Sequence, residues 1–101
     1  MHPELSTIRN EVSPEFSDES LDQLELLVTR YRDFLEQAAT PEADCAYYTG
    51  RLRPIEMDLE SARYGNNEQQ RARGYHNAAM RLVADMDEFA EKFRPRDGAA
   101  E

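Results

Sequence analysis

The chain has few of the residues that build chemical sites. Its 101 residues include one cysteine, two histidines and no tryptophan. A lone cysteine, Cys45, excludes an internal disulfide and a Cys-x-x-Cys redox pair. Neither His2 nor His76 has a carboxylate at the spacing of helical metal ligands, and no Glu-x-x-His occurs, which argues against a di-iron site. We therefore expect no metal and no cofactor.

Motifs for catalysis are also missing. The sequence has no glycine-rich phosphate loop, no Gly-x-Ser-x-Gly and no calcium loop. Glu56 with Glu60, one helical turn apart, is one of two acidic pairs, and a solvated helix face is the ordinary reason for such spacing. Cys45 lies on an apolar stripe, where a thiol packs as a small hydrophobe rather than serving with His76 as nucleophile and base. We expect no catalytic residues and no enzyme activity.

Long apolar runs and excess positive charge are absent as well. No segment is apolar enough to cross a bilayer, and the N-terminus lacks the features of a signal peptide, so we expect a cytoplasmic protein. Twenty-one acidic residues oppose twelve basic ones, giving a net charge of −9. Because nucleic acids and anionic membranes both repel such a chain, direct binding to either is disfavoured.

What the sequence does contain is apolar residues recurring at intervals of three and four, which predicts helices. The first helix spans residues 18–39; Ser17 or Ser20 can cap it, and Ser20 has the capping-box spacing to Gln23. The last helix spans residues 68–93 and follows a turn in which we expect Gly65 to be left-handed. Asn67 is placed to cap that helix.

The middle segment, residues 41–64, contains Pro54 within its stripe. The stripe keeps its phase across Pro54, which favours one helix kinked there at a cost of about 3 kcal/mol. However, Gly50 is a natural helix end and Pro54 a natural first-turn residue, which favours two helices. We expect the kinked helix and keep the break as the alternative.

These segments predict an all-α fold, an antiparallel bundle of three long helices over residues 17–94. Residues 1–16 form either a short amphipathic helix or an arm that orders on contact, and residues 95–101 form a polar, frayed tail. Since a chain of this size buries a modest core, association with another copy would add stability. We expect a dimer.

Apolar residues that lie off the stripes or in the N-terminal segment suggest a binding surface. Those off the stripes are scattered surface residues, or are covered by the N-terminal arm through Leu5, Ile8, Val12 and Phe16, or form an interface with a second copy or a partner. A second candidate is a cationic tip at the turn between the last two helices, formed by Arg63, Arg71 and Arg73; the alternative is that these arginines make local ion pairs. The predicted interface comprises Leu5, Ile8, Val12, Leu26, Tyr47, Met57 and Met80.

The sequence therefore predicts a non-enzymatic, acidic helical protein that masks the surface of a protein partner. Its acidity would steer it toward a basic partner. In general profile it is similar to small bacterial inhibitors and antiactivators that sequester transcription factors, although no motif carries the likeness and no family is assigned. The alternative is a structural subunit, a helical homodimer within a larger assembly of phage origin.

Overall fold

The computed structural model of the chain describes residues 3–37 and 42–92, without the side chains of residues 42–45. This part of the chain contains no strand, and the predicted all-α class is confirmed. Of the expected features, the ends of the first and last predicted helices and the tail 95–101 lie outside the described residues. The helices are α1 (Pro3–Asn10), α2 (Asp18–Gln37), α3 (Glu42–Gly50), α4 (Leu52–Tyr64) and α5 (Glu68–Lys92).

Helix α2 begins where the sequence predicts. The backbone N–H of Ser20 donates to Ser17 Oγ over 3.0 Å, so Ser17 is the capping residue. The capping box expected of Ser20 and Gln23 does not form, because Ser20 lies inside α2 and its backbone N–H is bonded to Ser17; Gln23 donates from Nε2 to Glu11 Oε1 at 2.8 Å. This bond instead joins α2 to the segment that follows α1.

The segment that contains Pro54 is two helices rather than one. Helix α3 ends at Gly50, Arg51 forms a turn, and α4 begins at Leu52. The kinked helix that we expect is not confirmed, because the structure has two helices here, although Arg51 between them keeps right-handed helical angles of φ −75° and ψ −7°. Pro54 lies in the first turn of α4, where backbone N–H groups have no intrahelical acceptor, so its missing N–H removes no helical hydrogen bond.

The turn between α4 and α5 differs from expectation in one respect. Gly65 is extended, with φ −61° and ψ 156°, rather than left-handed. Glycine suits this position because of space, since a Cβ there would lie 2.6 Å from the carbonyl oxygen of Ser61. Asn67 caps α5 as predicted, because Asn67 Oδ1 accepts the backbone N–H of Gln70 at 2.8 Å.

Side-chain contacts show that α4 and α5 run in opposite directions. Near the turn, Arg71 Nε donates to the carbonyl oxygen of Ala62 at 2.8 Å. Farther along, Arg81 Nε donates to Asp58 Oδ2 at 2.9 Å. Lower numbers in α4 therefore meet higher numbers in α5.

Helix α2 runs opposite to α4 as well. Arg63 near the end of α4 binds Asp22 near the start of α2 at 2.7 Å. Arg32, later in α2, forms an ion pair with Glu56, early in α4. Because α2 and α5 both oppose α4, they run in the same direction.

Helix α1 packs on α2 and α5. Of the two alternatives for the N-terminal segment, the structure has the helix, and its Leu5 and Ile8 are fully buried. The chain then turns back, and the hydroxyl of Tyr75 donates to the carbonyl oxygen of Ser13 at 2.7 Å. Leu5 and Ile8 join a core that is formed by α2, α4 and α5, with Tyr48 from α3. The largest buried side chains of this core include Leu24, Leu27, Tyr31, Leu35, Leu52, Ile55, Leu82 and Phe89.

Helices α4 and α5 approach each other closely at Gly74. Gly74 of α5 is buried, and a Cβ there would lie 2.6 Å from the carbonyl oxygen of Asp58 and 2.8 Å from the backbone nitrogen of Ala62. A side chain at this position would push the two helices apart. The sequence shows Gly74 only as a weak point in a helix, at about 1 kcal/mol relative to Ala.

We predict that Gly74→Ala lowers the free energy of unfolding by about 1–3 kcal/mol, because the overpacking outweighs the gain in helix propensity. The matched control is Gly50→Ala. A Cβ at Gly50 meets nothing within 4 Å, so this variant should be neutral or slightly more stable. Urea unfolding of both variants checks this, and a stabilised Gly74→Ala would contradict the close approach.

In the described residues, no helix combines the length and the apolar character that crossing a membrane requires.

Candidate functional site

An apolar groove separates the segment after α1 from α5. It has a volume of about 570 Å³ and is open to solvent. Met80 of α5, which lines the groove, is 70% exposed. We call it the α1–α5 groove; its apolar lining consists of Val12, Pro14, Ala79, Met80, Val83 and Ala84.

Polar contacts fix both walls of the α1–α5 groove. Arg9 Nη2 of α1 binds Asp87 Oδ2 of α5 at 3.3 Å, and both residues line the groove. On the other side, the bond from Tyr75 to Ser13 holds the returning segment on α5. The groove therefore exists before any partner binds, and its rim carries a balanced pair of charges as well as His76.

Two residues of the predicted interface meet in this groove, and two others cannot belong to a surface. Val12 and Met80 lie on opposite walls. Leu5 and Ile8 are buried in the core of the chain itself, so we remove them from the predicted interface. Their spacing correctly predicts an amphipathic helix, but the apolar side of that helix faces α2 and α5 of the same chain.

The remaining members of the predicted interface are exposed and lie on three different helices. Leu26 lies on α2, Tyr47 on α3 and Met57 on α4. Tyr47 is also engaged locally, since its hydroxyl accepts a hydrogen bond from Arg51 Nη1 at 3.0 Å. Tyr64, which is 79% exposed, is not among the residues of the predicted interface.

Two of the three residues of the predicted cationic tip, Arg63 and Arg71, make ion pairs. Arg63 binds Asp22 and also Glu25, the latter at 2.8 Å. Arg71 binds Asp18 at 2.9 Å, and its guanidinium lies 5.4 Å from the ring centre of Phe16. These contacts join the start of α2 to the α4–α5 turn, and Arg73 alone of the three is fully exposed.

A group of charged and phenolic side chains joins the α3–α4 break to α5. Arg51 Nη2 binds Asp85 Oδ1 at 2.7 Å, and Arg51 Nη1 binds Glu88 Oε1 at 3.1 Å. The Tyr48 hydroxyl donates to Glu88 Oε2 at 3.1 Å. We call these residues, with Tyr47, the Arg51 cluster. Its position explains why the chain tolerates a helix break here, since the residue in the turn is held by α5.

Burial dominates the electrostatics of the Arg51 cluster. Asp85 is only 4% exposed, and burial raises its pKa although Arg51 opposes the shift. Burial, followed by the hydrogen bond to Glu88, raises the pKa of Tyr48 to about 12. Tyr31 has a buried hydroxyl without a hydrogen-bond partner in the described part of the chain, and burial together with Asp85 raises its pKa. Both phenols therefore stay protonated at neutral pH.

The described residues contain no cluster of three or more metal-ligating side chains. Within the acidic pair of Glu56 and Glu60, Glu56 forms an ion pair with Arg32. The side chain of Cys45 lies outside the described residues. The arrangement can bind an apolar surface, and we derive no reaction from it.

Sequence reasoning missed both the groove and the Arg51 cluster. The groove depends on where the segment after α1 returns, which spacing within single helices does not encode. A signal for the cluster did exist: Asp85 stands three residues after Leu82 and four before Phe89, on the apolar stripe. A charge in that position predicts a buried partner.

Comparisons with protein-family models, curated proteins and solved structures find no match for the chain.

The raised pKa of Asp85 predicts the sign of a pH dependence. The folded chain holds this proton more tightly than the unfolded chain, so the carboxyl's contribution to the free energy of unfolding is most favourable in acid. It then declines as the pH rises from the ordinary value of 3.8 through the folded-state pKa, by about 1.4 kcal/mol per pH unit between the two.

We therefore expect the free energy of unfolding of wild type, minus that of Asp85→Asn, to fall as the pH rises across this window. Urea unfolding at a series of pH values measures the difference. If it rises instead, attraction to Arg51 outweighs burial, and our account of the cluster is wrong.

Proposed function

We propose that this protein is a non-enzymatic regulator that binds another protein, by accepting an amphipathic helix of that protein in the α1–α5 groove. Binding masks the apolar face of the partner's helix and so inhibits the partner. The observation that supports this best is the open apolar groove lined by Met80, which is 70% exposed.

The lining of the groove suits a helix as its occupant. Methionine is flexible and polarizable and adapts to different apolar surfaces, as in known helix-in-groove complexes. Small residues, Ala79 and Ala84, leave room beside it. Each leucine-sized side chain that a partner buries there would contribute about 1.5–3 kcal/mol, so two or three anchors give useful affinity after the costs of association.

The charge of the chain indicates which kind of helix it accepts. A net charge of −9 attracts basic proteins and accelerates their association at low ionic strength. Nucleic-acid-binding proteins carry clustered Lys and Arg on one face. A basic amphipathic helix of a transcription factor is therefore our proposed occupant, and an antiactivator our proposed role, in the cytoplasm.

The alternative function is structural. In it, two copies of an antiparallel helical bundle form a homodimeric subunit of a larger assembly of phage origin. The exposed apolar residues on α2, α3 and α4, which lie outside the groove, are the observation that favours this alternative.

The test uses a synthetic basic peptide with leucines at helical spacing, and an acidic peptide with the same leucines. Nuclear magnetic resonance titration should show shifts of residues 12–14 and 76–84 with the basic peptide and weaker binding of the acidic one. Met80→Glu should weaken binding of the basic peptide about tenfold or more, equivalent to about 1.4 kcal/mol.

Met57→Glu is the matched control, because it places the same charge at an exposed methionine outside the groove. It should bind the basic peptide as wild type does. Shifts that map elsewhere, or equal binding by both variants, would contradict the proposed site.

A further inference from the structure

We infer that the outward face of α4 is a surface on which two copies of this chain associate about a two-fold axis. The face consists of Arg53, Met57, Glu60 and Tyr64, which are all exposed. Met57 is 59% and Tyr64 79% exposed, and both are among the large apolar side chains most open to solvent in the described part of the chain. This goes beyond the proposed function, because the α1–α5 groove takes no part in it.

The spacing of these residues places them in one row. They stand at i, i+4, i+7 and i+11, which at about 100° per residue keeps all four within an arc of about 60°. The opposite side of α4, with Ile55 and Ala62, is buried in the core. The row is therefore the part of α4 that this chain leaves without a packing partner.

The order of the row is self-complementary. When a second α4 lies antiparallel, with the axis midway between Met57 and Glu60, Arg53 faces Tyr64 of the second copy. Met57 then faces the aliphatic stem of Glu60 of the second copy. A guanidinium over a phenol ring and a methionine on a methylene stem are both favourable contacts, and the axis makes each of them twice.

The charges point to the same occupant. Seven arginines of the described residues are in ion pairs, but no ion pair is recorded there for Arg53 or for Glu60. In the antiparallel pair, Arg53 of one copy lies about one helical turn from Glu60 of the other, within reach of an arginine side chain. A uniformly basic or acidic partner would match only one of these two charges, whereas a second copy matches both.

The size of the α4 face determines how tightly two copies of the chain bind each other. Helix α4 has 13 residues and is about 20 Å long at about 1.5 Å per residue. One helix face of that length is at the small end of protein interfaces, so the dimer is weak and reversible, in the micromolar range or above. It leaves both grooves open, so a dimer would present two of them and gain avidity for a dimeric partner.

Charge exchange tests this inference. Analytical ultracentrifugation of the full chain, from micromolar to millimolar concentration, should show a reversible monomer–dimer equilibrium. Arg53→Glu and Glu60→Arg should each raise the dimer dissociation constant about tenfold or more, since each places like charges one turn apart. The double variant Arg53→Glu with Glu60→Arg should return the dissociation constant to near the wild-type value. If the single variants merely failed to fold, combining them would not restore association.

A monomer at all concentrations would overturn the inference, as would single variants that associate like wild type or a double variant that does not recover. Met80→Glu should leave the equilibrium unchanged. If Met80→Glu abolishes the dimer instead, the copies meet through the groove and the α4 face is not the interface. The peptide titration reads out the groove separately, so the two proposals fail independently.

Discussion

Burial of Leu5 and Ile8 against α2 and α5 is the contact on which the rest of this structure depends. It adds the N-terminal segment to the core and places the chain that follows beside α5, which creates the α1–α5 groove. Two such side chains contribute about 1.5–3 kcal/mol each, a large part of the net stability of about 5–15 kcal/mol that small domains have. The groove and the stability of the fold are therefore linked through the same helix.

A second constraint acts at the break between α3 and α4. The turn residue, Arg51, reaches α5 and binds Asp85 at 2.7 Å. Asp85 is buried whereas the Arg51 side chain is 36% exposed, so removing Arg51 would leave the buried carboxyl of Asp85 without its cationic partner. Together with the close approach at Gly74, this contact keeps α4 packed against α5. The opposite face of α4 stays exposed.

The fold followed from the sequence wherever the evidence was local. Apolar spacing gave α2 and α5 nearly their full extent, and Asn67 was correctly identified as a cap. The sequence does not decide between a kink and a break before Pro54, because a stripe in constant phase cannot show whether Arg51 finds a partner on another helix. The sequence also wrongly predicts that Leu5 and Ile8 contact a partner. Amphipathic spacing shows that a helix has an apolar side, but not which surface covers that side. For the same reason the groove, which two distant segments form, was not predicted.

The most direct measurement is the free energy of unfolding of Ile8→Ala, from urea denaturation of the full chain. If α1 is docked as described, the variant loses about 2–5 kcal/mol through the cavity it leaves, with an unchanged dependence on urea concentration. A loss below about 0.5 kcal/mol, the range of ordinary surface substitutions, would mean that Ile8 is not in the core. In that case α1 does not form the wall of a groove, and the proposed binding site does not exist.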